Sequence, residues 1–354
     1  MSKYHVAILR NESEIDHKPW IISCEKFSDS LSYDIIDITK NDWFEQINRK
    51  KYDYFLLKPA GRTSLFKQLY DERISIISGH LNYPVFPSYE EVLIYENKRY
   101  LSYWLKSQNI PHPPTMVYYH KEEAREYIKK NNNPIVAKIN IGASGKGIQI
   151  LRDERAKLDY IESAFSKGVG SSIGPKLSKG KLFQRAWKKL THPADLKDRL
   201  QAYKSMLADI QKGYCIFQEY VPHDFEWRAV RIGDSFFAHK KIKVKDKASG
   251  TLLKGYDNPP LKLLDFVKDV TDQFGFYSQA VDIFENSEGD YLINEMQCVF
   301  GQSDPYQMLV DDKPGRYIFR DNKWVFEEGD FAINQCYDLR IKFILDQLDK
   351  TKVI

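Results

Sequence analysis

Short apolar runs alternate with amphipathic helical patterns over the first 88 residues of the chain. Four of these runs are predicted strands: His5–Leu9, Tyr33–Ile38, Tyr52–Leu57 and Arg73–Ile77. Strands that alternate with helices along a chain are typical of a parallel sheet, so we expect an α/β domain here. No phosphate-binding GxGxxG sequence follows the first strand.

A helix is predicted after this region. Ser88 and Glu91 have the spacing of a capping box, which indicates that the helix begins at this point. The helical pattern continues until Pro111, Pro113 and Pro114 interrupt it. We therefore expect the first domain to span residues 1–115.

Residues 116–221 are predicted to form a central subdomain. Its expected elements are a strand at Thr115–Tyr119, a helix at Lys121–Lys130, two strands around a glycine-rich loop within Val136–Ile150, a helix at Pro193–Gly213 and a strand at Tyr214–Val221. Residues 222–354 follow as a C-terminal subdomain. Its expected elements are a hairpin within Glu226–Val244 that turns at Gly233 and Asp234, a helix at Leu261–Gln273, and two strands within Gln279–Cys298 joined by a turn at Ser287–Asp290.

Composition places the protein among soluble globular chains. It has 354 residues, of which 42% are hydrophobic and 14% aromatic, enough for a substantial core. No apolar run approaches the length of a membrane span and the first residues do not resemble a secretory signal, so a cytoplasmic location is expected. The four cysteines are far apart in sequence, which favours reduced, buried thiols over disulfides or a zinc site.

Positive charge is concentrated in a basic insert, residues 152–212. This segment carries 14 Lys or Arg against 7 Asp or Glu, an excess larger than the net charge of +4 of the whole chain. It is either an exposed helical face or a positive field that attracts anionic substrates, lipid headgroups or nucleic acid. Nucleic acid is the least favoured partner, because the insert lacks the aromatic signatures of RNA-binding domains.

The loop between Val136 and Ile150 carries three glycines within six residues. It does not match the nucleotide P-loop, because no Lys-Ser or Lys-Thr pair and no helix follow it. A strand pattern follows instead, so the glycines lie at the tip of a hairpin, where backbone N–H groups can close over an anion. The alternative is an ordinary glycine-rich turn. Lys138, on the strand before the loop, favours a phosphate partner because an unpaired ammonium in so apolar a strand is costly.

Two further segments complete a candidate ligand site. The strand at Phe217–Val221 is broken by Pro222, and the free backbone of such a break can bind an adenine edge while a following carboxylate holds ribose hydroxyls. Asp282, Glu295 and Gln297 lie on two strands joined by a short turn, and their alternation places them on one face. Carboxylate and amide oxygens of this kind suit Mg²⁺.

These residues together resemble the ATP-grasp superfamily, notably the ligases that add glutamate to a ribosomal protein and the D-alanine ligases. The resemblance covers residues 86–303 and implies a parallel-sheet domain followed by two α+β subdomains that grip ATP. It assigns phosphate and nucleotide binding to Lys98 and Lys138, and a flap over the phosphates to Gly142, Ser144, Gly145, Lys146 and Gly147. It further implies adenine binding by Gln218, Glu219 and Val221, ribose binding by Glu226, and magnesium binding by Asp282, Glu295 and Gln297.

Three features depart from these relatives. Gln297 stands where the family usually has a metal-binding Asn, the usual NxxPG ending is absent, and Ala280 replaces the arginine that D-alanine ligases place two residues before the first metal-binding Asp. Recognition of the acceptor substrate therefore cannot be transferred from either relative.

The chemistry expected from ATP and Mg²⁺ on a carboxylate scaffold is phosphoryl transfer to a substrate carboxylate, followed by attack of an amine. Arg228 and Lys241, on partner strands of one hairpin, are candidates for neutralising the transferring phosphoryl group, with a surface cross-strand pair as the alternative. Arg231 lies on the opposite face by parity. The scattered histidines are assigned no catalytic role.

The sequence thus predicts an ATP-dependent carboxylate–amine ligase. A kinase of the same fold that phosphorylates a hydroxyl, and a nucleotide-binding module without turnover, are the alternatives. Ser303, Asp304 and Tyr306 either orient an acceptor amine or sugar hydroxyl or form a plain turn. The expected substrates are small or glycan-linked, since similar proteins occur in bacterial surface-polysaccharide pathways. A homodimer through the C-terminal subdomain is a further expectation.

Overall fold

The computed structural model describes residues 3–142, 147–170, 193–244, 247–302 and 304–351. Its strands are β1 Tyr4–Arg10, β2 Leu31–Asp37, β3 Tyr54–Leu57, β4 Val85–Phe86, β5 Thr115–Tyr118, β6 Ile135–Lys138, β7 Ile148–Leu151, β8 Cys215–Glu219, β9 Phe225–Ile232, β10 Ser235–Val244, β11 Lys247–Gly255, β12 Ser278–Glu285, β13 Tyr291–Gln297, β14 Leu309–Val310, β15 Lys313–Arg320 and β16 Lys323–Glu328. Its helices are α1 Lys18–Lys26, α2 Trp43–Ile47, α3 Ser64–Ile74, α4 Tyr89–Ile94, α5 Lys98–Ser107, α6 Lys121–Lys130, α7 Glu154–Phe165, α8 Pro193–Ala208, α9 Leu261–Phe274 and α10 Tyr337–Thr351.

Strands β1 to β4 form an all-parallel sheet in the order β2-β1-β3-β4, here called the N-terminal sheet. The predicted α/β class is confirmed, but the predicted strand at Arg73–Ile77 is wrong. This segment ends α3 and continues as a π-helical turn, Ser75–His80. Tyr70, Ile74 and Ile77 follow one another at helical spacing and are fully buried together, so helical periodicity decides the structure of this apolar run.

The capping box at Ser88 and Glu91 is present at the start of α4. The single long helix predicted from this point is wrong, because the chain breaks between α4 and α5. Glu96 adopts a left-handed backbone conformation, with φ of 52°. Asn97 then caps α5 by accepting a hydrogen bond from the backbone N–H of Tyr100. Because of this break, the side chains of Glu96 and Lys98 contact residues of the C-terminal half of the chain.

Glu91 also joins α4 to the C-terminal part of the chain. Its buried carboxylate accepts hydrogen bonds from the backbone N–H groups of Ser88 at 2.8 Å and Ser278 at 2.9 Å. We expect Glu91→Ala to lower the free energy of unfolding by about 3 kcal/mol, since it removes a cap and leaves a buried N–H unsatisfied. Ser88→Ala removes only the cap and should cost about 1 kcal/mol. Urea unfolding of both variants checks this; equal losses would contradict it.

Strands β5 to β8 form an antiparallel sheet in the order β5-β8-β6-β7, here called the central sheet. Helices α6 and α7 pack against it, and α6 has the predicted bounds. Helix α7 lies inside the segment treated as a basic insert and was not predicted. The helix predicted to reach Gly213 ends at Ala208 instead, because Gln211 pairs through its backbone with Val169 in an antiparallel bridge.

The remaining eight strands form the large sheet, ordered β13-β12-β9-β10-β15-β14, with β11 paired to β10 and β16 paired to β15. Both predicted hairpins are present, as β9–β10 and β12–β13. Helices α5 and α9 cover one face, where Trp227, Val281 and Ile293 are buried. Strands β11, β14, β15 and β16 were not predicted.

All four cysteines are buried and unpaired, as expected. None of the helices in the described part of the chain combines the length and apolarity that crossing a bilayer requires.

Candidate active site

Four neighbouring strands of the large sheet carry a row of charged side chains on the face opposite α5 and α9. The row follows from strict alternation: Trp227 and Ala229 enter the apolar core, while Glu226 and Arg228 lie on the other side of β9. The backbone register sets Asp282 opposite both Glu295 and Arg228, Arg228 opposite His239, and Glu226 opposite Lys241. We call this face the polar row.

Asp282 occupies the centre of the polar row and is 1% exposed. Arg228 donates to both of its oxygens, Nε to Oδ1 and one terminal nitrogen to Oδ2, each at 2.8 Å. Lys241 Nζ lies 2.8 Å from Oδ2 as well. Burial alone would raise the pKa of Asp282, but these two cations hold it well below its usual range. The carboxylate is therefore ionised at neutral pH.

Lys241 also joins Asp282 to Glu226. Its ammonium lies 2.6 Å from Glu226 Oε2, and both side chains are almost completely buried. Burial lowers the pKa of Lys241, but Asp282 and Glu226 outweigh burial and raise it. Sequence alternation predicted that Arg228 and Lys241 would share a face, and they do. Arg231 lies on the opposite face, where it donates to Thr271 Oγ1 at 2.7 Å.

A β-bulge at the edge of the polar row adds Asn294 to the site. The register shifts between Asp282 and Ile283, so that Asp282 pairs with Glu295 while Ile283 pairs with Ile293. Two successive side chains, Asn294 and Glu295, are consequently half-buried between the buried Ile293 and Met296. Sequence reasoning missed Asn294, although two successive polar residues in an alternating strand are a recognisable sign of a bulge.

Lys98 and Glu96 form a second buried cluster beside this bulge. Lys98 Nζ donates to the carbonyl oxygen of Gly142 at 2.9 Å and lies 3.4 Å from Glu96 Oε2 and 3.5 Å from Glu295 Oε1. Gln297 donates to Glu96 Oε1 at 3.1 Å. Burial raises the pKa of Glu96 to about 7, against the opposing charge of Lys98. Glu96 was not predicted, since nothing in its local sequence indicates a buried carboxylate.

Lys138 connects the central sheet to the large sheet. Its ammonium donates to Asn294 Oδ1 at 2.9 Å and is 7% exposed. Burial lowers the pKa of Lys138 to about 8, although the negative charge of Glu295 opposes the shift. An anion bound next to Lys138 would stabilise its charged form and raise this lowered pKa.

The glycine hairpin is described only at its two ends. Gly142 is buried at the end that Lys98 contacts, and Gly147 has a φ of 83°, where a Cβ would lie 2.4 Å from Ile139. Ser144, Gly145 and Lys146 lie outside the described residues.

The predicted adenine-binding segment ends β8. Gln218 is buried and donates to Thr115 Oγ1 at 3.2 Å, whereas Glu219 is exposed. The carbonyl oxygen of Val221 lies 2.7 Å from His223 Nδ1. A cavity of about 20 Å³ lies between α5, the central sheet and β13, and its walls include Lys138, Gln218 and Asn294.

Comparison with known proteins identifies the fold. No protein-family model matches the chain. It is 24% identical over 231 residues to the alpha-aminoadipate–LysW ligase LysX of Saccharolobus solfataricus, a match that covers 64% of this chain and 69% of that protein. The structure of D-alanine–D-alanine ligase from Bacillus anthracis superposes with a TM-score of 0.56 at 13% identity, covering 98% of this chain and 99% of that one.

The structure of a RimK domain protein, ATP-grasp, from Sphaerobacter thermophilus superposes with a TM-score of 0.50 at 14% identity, covering 82% of this chain and 90% of that one. The parallel N-terminal sheet and the two antiparallel sheets after it agree with these structures. The chain therefore has the ATP-grasp fold that its sequence predicts.

Proposed function

We propose that the protein is an ATP-dependent carboxylate–amine ligase that forms ADP and an amide or peptide bond. The observation that carries the proposal is the polar row, in which carboxylates and cations lie side by side on four neighbouring strands of an ATP-grasp fold. Related proteins support it, because LysX and D-alanine–D-alanine ligase are both named as ligases. Because the reaction uses ATP, we infer a cytoplasmic location.

The nucleotide is proposed to lie between the central sheet and the large sheet. Lys98 and Lys138 would bind its phosphates, the hairpin from Gly142 to Gly147 would cover them, and the backbone of Gln218, Glu219 and Val221 would bind adenine. Glu226 would hold the ribose. The cavity of about 20 Å³ at this place has room for about one water molecule, so we infer that the two sheets separate when a nucleotide binds. The contact between Lys138 and Asn294 is the one that must open.

The donor set for magnesium is Asp282, Glu295 and Gln297, and its chemistry suits that ion. In the described part of the chain no three His, Cys, Asp or Glu side chains are grouped as a metal site, and both oxygens of Asp282 are bound by Arg228 and Lys241. The residues therefore fit Mg²⁺ only when a polyanion arrives with it. Phosphates that bind Arg228, Lys241, Lys98 and Lys138 would release the carboxylates from these cations, and the carboxylates could then bind magnesium. Bound in this way, magnesium would neutralise phosphate charge.

Arg228 and Lys241 are proposed to stabilise the transferring phosphoryl group. A substrate carboxylate oxygen attacks the γ-phosphorus, the bond to ADP breaks, and an acylphosphate forms. The amine then attacks the acyl carbon, and phosphate leaves with the proton that the amine nitrogen loses. The chain itself aligns the reacting groups and supplies positive charge where the oxygens become more negative.

The proposal is tested by incubating the protein and Mg-ATP with a panel of amino acids, uronic acids, glycan-linked acids and amines. Mass spectrometry should find ADP and a product lighter by one water than the sum of its two precursors. A phosphorylated hydroxyl compound would instead establish the kinase alternative, and absence of any nucleotide turnover across the panel would contradict the ligase.

Magnesium and ATP should bind cooperatively. Calorimetry is expected to detect no binding of Mg²⁺ alone, because protein cations already neutralise its carboxylate ligands. ATP in the presence of a chelator should bind about 100-fold more weakly than with Mg²⁺. Its phosphates then draw Arg228 and Lys241 away from carboxylates that no metal ion neutralises. Restoring excess Mg²⁺ is the control and should recover affinity. Equal ATP affinity with and without chelator would contradict the assignment of these three residues.

A further inference from the structure

His239 belongs to the polar row, on the strand next to that of Arg228. It lies on β10 directly opposite Arg228 and is 2% exposed. Its Nδ1 is 2.8 Å from the carbonyl oxygen of Gln307. A carbonyl oxygen can only accept, so Nδ1 carries the hydrogen and Nε2 carries the lone pair.

Nε2 of His239 is buried and has no hydrogen-bond partner among the described residues. A buried acceptor left unpaired costs about 1–3 kcal/mol. Such a group in a native structure calls for an explanation, and a ligand that donates a hydrogen supplies one.

The imidazole of His239 is held in its neutral form. Burial and, after it, the positive charges of Arg228 and Lys254 lower the pKa of His239 to about 3, although the hydrogen bond with Gln307 and the charge of Asp282 oppose the shift. The ring is therefore neutral near pH 7. It can accept a hydrogen bond, and it does not take the proton away from the donor.

A second group of polar side chains lies beyond His239. The ring of Tyr256 is 5.5 Å from His239 and 4.9 Å from the ring of Tyr306. Asp304 Oδ2 accepts hydrogen bonds from the Tyr256 hydroxyl at 2.8 Å and from Lys254 at 2.6 Å. These residues come from the end of β11, with the residue that follows it, and from the segment after β13. Two parts of the chain that the nucleotide site does not use therefore converge here.

We propose that His239 Nε2 accepts a hydrogen bond from an N–H group of the amine substrate, which binds between Arg228 and Asp304. This inference rests on the proposed ligase function and assigns the second substrate to a place within it. The charges beside the ring are balanced in pairs, Arg228 with Asp282 and Lys254 with Asp304, so they leave no excess negative charge that would favour an ammonium ion over the neutral amine. The neutral amine is the form that can attack an acyl carbon.

Two substitutions test the roles of the two ring nitrogens separately. His239→Asn places an amide N–H near the position of Nδ1, so it keeps the donor to Gln307 and deletes the acceptor. His239→Gln reaches the position of Nε2 with its carbonyl oxygen and restores an acceptor there. With substrates from the panel, His239→Asn should raise the amine KM about tenfold, the value of one neutral hydrogen bond, while leaving the KM for ATP unchanged. His239→Gln should restore most of the loss.

A binding experiment keeps the inference testable without turnover. Full-length protein labelled with ¹⁵N-histidine is titrated with glycine, alanine, lysine, ethanolamine, glucosamine and hydroxylamine in the presence of a non-hydrolysable ATP analogue and Mg²⁺. The Nε2 resonance, assigned by its absence in His239→Gln, should be that of an unprotonated nitrogen and should shift saturably with at least one amine. A protonated Nε2, or no shift with any of the six, would overturn the inference.

The two proposals fail in different ways. A saturable shift without any condensed product would keep the amine site and contradict the ligase. Amide formation with equal amine KM in His239→Asn and His239→Gln would keep the ligase and contradict the amine site.

Discussion

Replacing Asp282 with asparagine is expected to lower kcat for ADP formation by about 10³-fold. The substitution preserves shape but removes the charge on which Arg228, Lys241 and the proposed magnesium site depend. Loss of metal and of phosphoryl-group alignment together justifies a factor of this size. Steady-state ADP release measures it.

The effect of Asp282→Asn on folding stability must be distinguished from its effect on kcat, because removing one partner of a buried ion pair costs about 3–5 kcal/mol of stability. Glu295→Gln supplies the separation, since the side chain of Glu295 is 24% exposed and should tolerate neutralisation while kcat still falls. Asp290→Asn, on the exposed turn of the same hairpin, is the matched control and should leave kcat unchanged. Normal kcat in folded Asp282→Asn would refute the metal assignment.

Replacing Lys138 with methionine is expected to raise the KM for ATP about 100-fold, the effect of one charge-assisted hydrogen bond to phosphate in a buried site. The ammonium is buried beside Asn294 and is positioned by β6 to face the large sheet. Lys130→Met, on the exposed end of α6, removes the same charge from the surface and should leave the KM unchanged.

Lys138 should also make ATP binding depend on pH. Its pKa of about 8 means that the free protein holds the proton below pH 8 and loses it above. Phosphate binds the ammonium form, so binding above pH 8 must take up a proton, and ATP affinity should weaken about tenfold per pH unit there. Calorimetry across pH 7 to 9.5 checks this. The same slope in Lys138→Met would assign the effect to another group.

Alternation along strands explains why most of the polar row could be predicted from the sequence. Polar and apolar residues alternate at Phe225–Ala229 of β9 and at Val281–Ile283 of β12. Glu226 and Arg228 could therefore be placed on one face of their hairpin, and Asp282 on one face of the other hairpin with Glu295. The capping box at Ser88 and the turn at Gly233 are local signals of the same kind. Each depends only on residues close together in the chain.

The features that were missed depend on contacts between distant residues. The run at Arg73–Ile77 is as apolar as a strand, and its helical periodicity becomes evident only when Ile74 and Ile77 are seen packed with Tyr70 in one core. Glu96 enters the site because a left-handed residue breaks the chain between two helices and Gln297, far along the chain, meets its carboxylate. His239 was set aside because no other histidine lies near it in sequence; its partners are Gln307 and the facing strand.

The central claim, an acylphosphate formed at the polar row, is tested most directly by oxygen transfer. A carboxylate substrate identified in the panel is labelled with ¹⁸O and incubated with the protein, Mg-ATP and its amine partner. The account predicts ADP and inorganic phosphate that carries one ¹⁸O from the carboxylate, because the substrate oxygen attacks phosphorus and leaves with it. Label in AMP, or amide formation with unlabelled phosphate, would contradict it.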